Sequence, residues 1–269
     1  MQRLDGGAMF GVVPKPLWER KIAPDERNRI PLALRCLLVE GPDALVLVDT
    51  GVGNKEGEKF RDIYGIANEG TPTALEDAIR SAGFDPGEIE MVVNTHLHFD
   101  HAGGDTVREG DDVVRPAFPR ARYLVQGGEF EFAHIQNERI RAAYLLHNFD
   151  PVHQAGLFQF VDGPAEVVPG VRVEPTPGHV PHHQSILIES EGQVACYLAD
   201  LVPTTAHLPL PWIMGYDVEP LVTLETKRRL LDRARREHWL LIFEHDPEVP
   251  WGYLASGEER PTLVEARPG

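Results

Sequence analysis

Apolar residues recur along the chain in short runs that turn residues separate. Residues 34–40 and 44–49 form two such runs, and Gly41, Pro42 and Asp43 lie between them. Short apolar runs divided by Gly and Pro are typical of a β-hairpin. The pattern therefore predicts two strands over residues 34–49, the second of which ends at an Asp-Thr-Gly sequence.

Helical periodicity alternates with further strands over the rest of the chain. From Thr73 to Gly83 the apolar spacing follows a helix, with Thr71 or Thr73 able to cap its start and Gly83 placed to end it. Residues 219–237 have the pattern of an amphipathic helix, and strands are predicted at 89–94, 171–176, 184–190, 193–200 and 239–244. This alternation predicts an α/β protein whose helices cover its sheets.

The segment 105–161 differs from the rest because it mixes charged residues with aromatic ones. Helical patterning is present near residues 128–146. We interpret the segment as an inserted cap beside a functional site, and ordinary core helices are an equally good interpretation. With 42% hydrophobic residues, the whole chain, 1–269, is long enough for one large core and is predicted to form a single domain.

The charge balance restricts the kinds of partner. Lys and Arg number 26 against 42 Asp and Glu, which gives a formal net charge of -16. Such a surface repels phosphate backbones and anionic lipid, so neither a nucleic acid nor a membrane is an expected partner. The first residues lack the apolar stretch of a signal peptide, and no apolar run approaches about 18 residues. We therefore expect a cytoplasmic location.

The strongest chemical signal is the sequence THLHFDHAGG, which follows the strand predicted at 89–94. It places His96, His98, Asp100 and His101 within six positions. Imidazole nitrogen and carboxylate oxygen suit zinc and its neighbours in the first transition row. On an extended segment His96 and His98 point the same way, so both can face one ion, while Asp100 and His101 turn towards a second ion.

Three later residues complete a recognisable order. His179, Asp200 and His245 each lie at or just beyond a predicted strand end. Taken alone, each is more often an ordinary polar residue than a ligand. The order HxHxDH, His, Asp, His, after an early strand that ends in Asp-Thr-Gly, resembles the metallo-β-lactamase superfamily from about residue 34 to 250. The resemblance implies a four-layer αββα sandwich with metals in a groove at one edge of the two sheets.

The resemblance also implies two divalent transition-metal ions. Zinc is the first expectation, with manganese, iron, cobalt or nickel as alternatives. The implied ligands are His96, His98 and His179 for the first ion, Asp100, His101 and His245 for the second, and Asp200 as the bridge. Asp49 matches the motif carboxylate that braces the ligand loop. His182 and His183 receive no metal role, because the ligand set is complete without them.

The segment around the bridging aspartate resembles one branch of the superfamily. Residues 199–217, ADLVPTTAHLPLPWIMGYD, are similar to N-acyl homoserine lactonases and methyl parathion hydrolases. The lactonases carry a tyrosine three residues beyond the bridging aspartate, where it helps to polarise the substrate carbonyl, and this chain has Pro203 there. Either His207 or Tyr216 takes this catalytic part, or the substrate is not a simple acyl homoserine lactone.

These features together predict a metal-dependent hydrolase. The expected substrate is a small neutral or apolar ester, a lactone or carboxyl ester, attacked by a metal-bridging hydroxide, and Asp100 passes the proton to the leaving group. The alternatives are a phosphotriester or phosphodiester hydrolase and, less favoured, a non-catalytic metal-binding protein. A weak phosphotriesterase side activity is compatible with the lactonase or esterase function. The sequence does not decide whether the chain forms a homodimer. An apolar pocket or plain core packing would account for Met9, Phe10, Trp18, Tyr64, Phe118, Leu208, Trp212 and Met214.

Overall fold

The computed structural model describes residues 1–66, 72–110, 113–255 and 262–265. The strands are β1 Gln2–Asp5, β2 Arg29–Leu32, β3 Leu37–Glu40, β4 Leu45–Val48, β5 Met91–Val93, β6 Thr106–Glu109, β7 Val113–Pro116, β8 Arg122–Gln126, β9 Phe158–Val161, β10 Ala165–Val168, β11 Val171–Pro175, β12 Gln184–Ser190, β13 Gln193–Tyr197, β14 Leu240–Ile242, β15 Trp251–Leu254 and β16 Leu263–Glu265. The helices are α1 Gly6–Phe10, α2 Lys15–Trp18, α3 Glu58–Tyr64, α4 Ala74–Ser81, α5 Gly127–Ala133, α6 Asp150–Gln154 and α7 Pro220–Glu237.

The backbone packs into two compact units. Over the described residues, the first unit comprises Met1–Arg35, Ile63–Ile66 and Gly170–Gly269, and the second comprises Cys36–Asp62 and Ala67–Pro169. Both units contain helices and strands, which confirms the predicted α/β class. That residues 1–269 form a single domain stays a prediction. Among the described helices, none is both long and apolar enough to cross a bilayer.

The second unit is built on a sheet with the strand order β3-β4-β5-β8-β9. β3 and β4 pair antiparallel, with Leu37 opposite Val48, as the hairpin pattern predicts. The strands from β4 to β9 pair in parallel. Because parallel strands end at the same edge, the residues after β4 and after β5 meet there. This edge receives Asp49 and the loop that begins at Asn94.

Helix α4 follows its predicted start and end. The Thr73 hydroxyl accepts a hydrogen bond from the Glu76 backbone N–H, and the Glu76 carboxylate accepts one from the Thr73 N–H. This reciprocal pair is a capping box that satisfies two N–H groups of the first turn. Gly83 follows the helix with a φ of 95°. Thr71, the alternative cap, lies outside the described residues.

The first unit contains the chain's longest helix beside a sheet of mixed direction. Its strands pair in the order β11-β12-β13-β14-β15-β16, and only β13 and β14 are parallel to each other. Helix α7 crosses over between those two strands and buries Leu230, Leu231 and Ala234 in their core. β13 therefore leads into the loop of Asp200, and β14 leads into the loop of His245.

The segment predicted as a cap departs from its helical pattern. Helix α5 ends at Ala133, and the residues that follow form turns, with a short 3₁₀ helix at Leu146–Asn148. The Asn137 side chain accepts the N–H groups of Arg139 and Ile140, a local bond that competes with helix formation. Because β8 and β9 belong to the main sheet, part of the segment is core. A capping role stays a prediction.

Candidate metal centre

The second unit gathers four of the predicted ligands immediately after β5. His96, His98, Asp100 and His101 are all buried. The ring centroid of His96 lies 4.5 Å from that of His98 and 4.0 Å from that of His101. The Asp100 Oδ1 atom lies 3.8 Å from Nε2 of His101. The loop therefore concentrates imidazole and carboxylate donors in a buried part of the second unit.

Asp49 braces this ligand loop, as its motif position predicts. Its carboxylate accepts hydrogen bonds from the Thr95 N–H at 2.8 Å, the Thr95 hydroxyl at 2.7 Å and Nδ1 of His101 at 3.0 Å. Since Nδ1 of His101 donates to Asp49, Nε2 is the atom left to bind a metal. Asp49 adopts a left-handed φ of 52°, a strained backbone that often occurs at functional sites.

Glu129 supports the same loop, and sequence reasoning did not find it. The buried Oε1 atom of Glu129 accepts the backbone N–H of Leu97 at 3.0 Å and the hydroxyl of Tyr144 at 2.7 Å. The Tyr144 ring in turn packs on His98 with centroids 4.6 Å apart. Burial raises the pKa of Tyr144 well above its ordinary value, so the hydroxyl stays a donor. These contacts fix the backbone between two predicted ligands.

The first unit places the Asp200 carboxylate between two imidazoles. Its Oδ2 atom lies 3.1 Å from Nε2 of His179, and its Oδ1 atom lies 3.2 Å from Nε2 of His245. Metal bonds of about 2.0–2.2 Å bring two ligands of one ion to roughly this separation. Each carboxylate oxygen is thus paired with a different imidazole, which is the arrangement a bridging ligand needs. The preceding residue, Ala199, has a positive φ of 44°.

The Nδ1 atoms of His179 and His245 are also hydrogen-bonded within the first unit. Nδ1 of His179 donates to Asp217 at 3.0 Å, and Asp217 accepts a second bond from the Thr223 hydroxyl at 2.6 Å. Nδ1 of His245 donates to the backbone carbonyl of Ala33 at 2.8 Å. Such acceptors fix the tautomer that presents Nε2 to a metal. Sequence reasoning gave Asp217 no role, although it is the last residue of the segment 199–217 that resembles the lactonases.

The donor set of each unit fits a divalent transition metal. The donors are imidazole Nε2 atoms and carboxylate oxygens, the ligands that zinc and its first-row neighbours accept. His101, His179 and His245 each have Nδ1 committed to a protein acceptor. The residues present therefore suit the metals that the sequence predicts.

The two other histidines near His179 differ from the ligands. The buried His183 ring has Nδ1 2.8 Å from the Thr176 hydroxyl, whereas His182 is exposed. His183 is therefore held by Thr176, which directly follows the neighbouring strand β11, and His182 offers a control position close to the site in sequence.

His207 and Tyr216, the predicted carbonyl-polarising residues, have contrasting surroundings. Nε2 of His207 donates to the Met9 carbonyl at 2.8 Å, and Nδ1 accepts from the Thr204 hydroxyl at 2.8 Å. Its ring stacks on Phe10 with centroids 4.5 Å apart, and burial lowers its pKa to about 4. These contacts favour a structural role for His207. Tyr216 is 38% exposed. The catalytic role of each stays a prediction.

The residues suggested for an apolar pocket are distributed over three hydrophobic clusters. Leu208 lies in the core beside α7, Phe118 lies in the core of the second unit, and Tyr64 is partly buried. The others form one cluster of the first unit: Met9, Phe10, Trp18 and Met214, with Trp212 packed against it. Core packing accounts for most of these residues.

Comparison with known proteins agrees with the superfamily that the sequence motifs indicate. The sequence profile of the metallo-beta-lactamase superfamily matches residues 30–245. An N-acyl homoserine lactonase from Bacillus cereus is 29% identical over 235 residues, which cover 84% of this chain and 86% of that protein.

Two solved structures extend the comparison. A probable metal-dependent hydrolase from Staphylococcus aureus is 30% identical and has a TM-score of 0.89, over 99% of this chain and 94% of that one. An N-acyl homoserine lactone hydrolase, with the product N-hexanoyl-L-homoserine bound at its catalytic metal center, is 25% identical. Its TM-score is 0.68, over 92% of this chain and 90% of that one.

Proposed function

This chain belongs to the metallo-beta-lactamase superfamily, and from that premise we propose that it is a dinuclear hydrolase of a small lactone or carboxyl ester. The fold is the metallo-beta-lactamase fold, with mixed α/β content and several sheets. The observation that carries the proposal is the Asp200 carboxylate, whose two oxygens face two different imidazoles. The N-acyl homoserine lactonase relatives support the substrate class.

The proposed ligand set consists of the seven His and Asp residues that the superfamily motifs contain. The assignment follows the order of the superfamily motifs, and each resulting group consists of His and Asp side chains that could hold an ion. His96, His98 and His179 would hold the first ion, Asp100, His101 and His245 would hold the second, and Asp200 would bind both. Zinc fits this set best, because five of its seven side chains are histidines and two are aspartates, and imidazole and carboxylate are ligands that zinc accepts.

The protein side chains have separate proposed roles in the reaction. When bound, two divalent ions supply hydroxide from water at neutral pH and polarise the substrate carbonyl. Asp200 offsets the repulsion of the two positive charges, and Asp49 holds the His101 ring in its ligating orientation. A carboxylate oxygen of Asp100 accepts the proton of the attacking water and returns it to the departing alkoxide. We propose Tyr216 before His207 as the group that assists the carbonyl, because both ring nitrogens of His207 are bonded within the protein.

A substrate panel tests the proposed substrate class. With one metal loaded, kcat/KM is measured for acyl lactones of several chain lengths, an aryl ester and paraoxon. We expect lactones to exceed paraoxon. If an apolar pocket takes the acyl chain, each added methylene contributes up to about 0.8 kcal/mol, roughly fourfold in kcat/KM.

Two outcomes of the panel would contradict the proposal. Paraoxon turned over faster than every lactone would favour a phosphotriesterase. No turnover of any substrate would favour a phosphodiester substrate or a non-catalytic metal site.

A further inference from the structure

A further buried carboxyl group, that of Asp105, lies in the second unit outside the proposed ligand set. Its Oδ1 atom lies 2.9 Å from the Thr50 hydroxyl and accepts the Asn94 amide at 3.1 Å. Its backbone carbonyl accepts the Ala117 N–H at 2.8 Å and the Tyr123 hydroxyl at 3.2 Å. Asp105 thus connects the Asp-Thr-Gly turn after β4 with the loop that carries the ligands after β5.

Thr50 links this carboxyl group to the backbone of a proposed ligand. The Thr50 N–H donates to the His101 carbonyl at 2.7 Å, and the Thr50 hydroxyl oxygen lies 3.0 Å from the same carbonyl. The hydroxyl has one proton but two oxygen neighbours, the His101 carbonyl and Asp105 Oδ1. With an ionised Asp105 the two acceptors would share this one proton, whereas a proton on Asp105 gives each contact a hydrogen bond of its own.

The surroundings of Asp105 also favour the protonated form. Oδ2 is buried and has no hydrogen-bond partner among the described residues. An ionised carboxylate would leave charge on this oxygen without a donor, which is costly in a dry interior. The nearby ammonium group of Lys55 donates instead to the backbone carbonyls of Gly103 and Thr106.

The charged and titratable groups around Asp105 agree with this assignment. The pKa of Asp105 is raised to about 8, chiefly by burial and in smaller part by the charge of Asp49, against the lowering effects of Asn94, Thr50 and Lys55. Tyr123, whose hydroxyl donates to the backbone carbonyl of Asp105, has a pKa raised well above its ordinary value by burial and stays neutral.

We propose that Asp105 is a positioning residue held as a neutral carboxylic acid, which donates to the Thr50 hydroxyl so that this hydroxyl donates to the His101 carbonyl. Asp49 and Asp105 then have complementary roles on the ligand loop: Asp49 is the ionised acceptor for the His101 ring, and Asp105 is the neutral donor behind the His101 backbone. The link to metal binding rests on the proposed function, whereas the protonation state does not.

The first test compares the wild-type protein with Asp105→Asn, a neutral side chain of similar shape. Asp105 keeps its proton in the folded chain and loses it in the unfolded chain above about pH 4, so the folded state binds one more proton up to about pH 8. The unfolding constant of the wild type, divided by that of Asp105→Asn, should rise about tenfold per pH unit between pH 5 and 7.5 and level off above about 8.5. The same pH dependence of the free energy of unfolding in the wild type and in Asp105→Asn would overturn the proposal. Asp77→Asn, on the exposed side of α4, is the control and should give parallel curves.

The second test combines infrared spectroscopy with metal binding. The wild type at pH 7 should show the carbonyl stretch of a buried carboxylic acid, shifted in D₂O and absent from Asp105→Asn, and its absence from the wild type would overturn the proposal. Zinc affinity, measured by competition with a chromophoric chelator, should fall at least about tenfold in Asp105→Ala and less than about threefold in Asp105→Asn. Equal losses in the two variants would contradict the donor role. Since the infrared and stability measurements need no metal, they separate failure of this inference from failure of the proposed function.

Discussion

Asp200→Ala is expected to lower kcat/KM for a lactone by about 10²- to 10³-fold, the effect of removing one preorganised charged group from a reacting site. The physical reason is the position of the carboxylate, 3.1 Å from Nε2 of His179 and 3.2 Å from Nε2 of His245. Two dications repel each other, and a carboxylate shared between them offsets that repulsion. Its loss should therefore release the second ion more readily than the first.

The control for this variant is His182→Ala, because His182 is exposed and close in sequence to His179. Elemental analysis of both proteins after the same purification measures the metal retained per chain. His182→Ala should keep the wild-type metal content and activity. Equal metal loss in the two variants would show that the ligand assignment is wrong.

Asp100→Asn is expected to lower kcat for an alkyl lactone by about 10²- to 10⁴-fold, the range of a proton-transfer group. The amide keeps an oxygen that can act as a ligand, but it cannot accept the proton of the attacking water. Metal content, determined on the same sample, separates the loss of proton transfer from the loss of an ion.

The leaving group provides the sharper readout for Asp100. A phenolate departs from an aryl ester without needing a proton, whereas the alkoxide of a lactone needs one. The decrease in kcat should therefore be at least about tenfold smaller for the aryl ester. An equal decrease for both substrates, with metal content unchanged, would exclude Asp100 as the proton carrier.

The parts of the site that the sequence predicts are those with a local pattern. HxHxDH lies in one loop, and strand patterns place Asp200 and His245 after β13 and β14. The same reasoning predicts the hairpin, α4 and α7, because apolar periodicity and capping residues are local signals.

The supporting residues could not be found in this way because their partners are distant in sequence. Asp217 lies 38 residues from His179, and Glu129 lies 32 residues from Leu97. Glu129 lies in no motif, and Asp217 ends the lactonase-like segment 199–217 without a ligand pattern of its own. From sequence alone, each resembles an ordinary surface carboxylate. The failed helical prediction beyond Ala133 has a different cause, since side-chain hydrogen bonds of Asn137 favour a turn there.

The most direct test of a dinuclear hydrolase is a metal titration of the metal-free protein. Zinc is added in fractions of an equivalent, and lactone hydrolysis, bound metal and melting temperature are followed on the same samples. Activity should rise until two ions are bound per chain, and the melting temperature should rise as each ion binds the folded state. Activity that saturates at one ion per chain, or that persists in full without metal, would contradict the account.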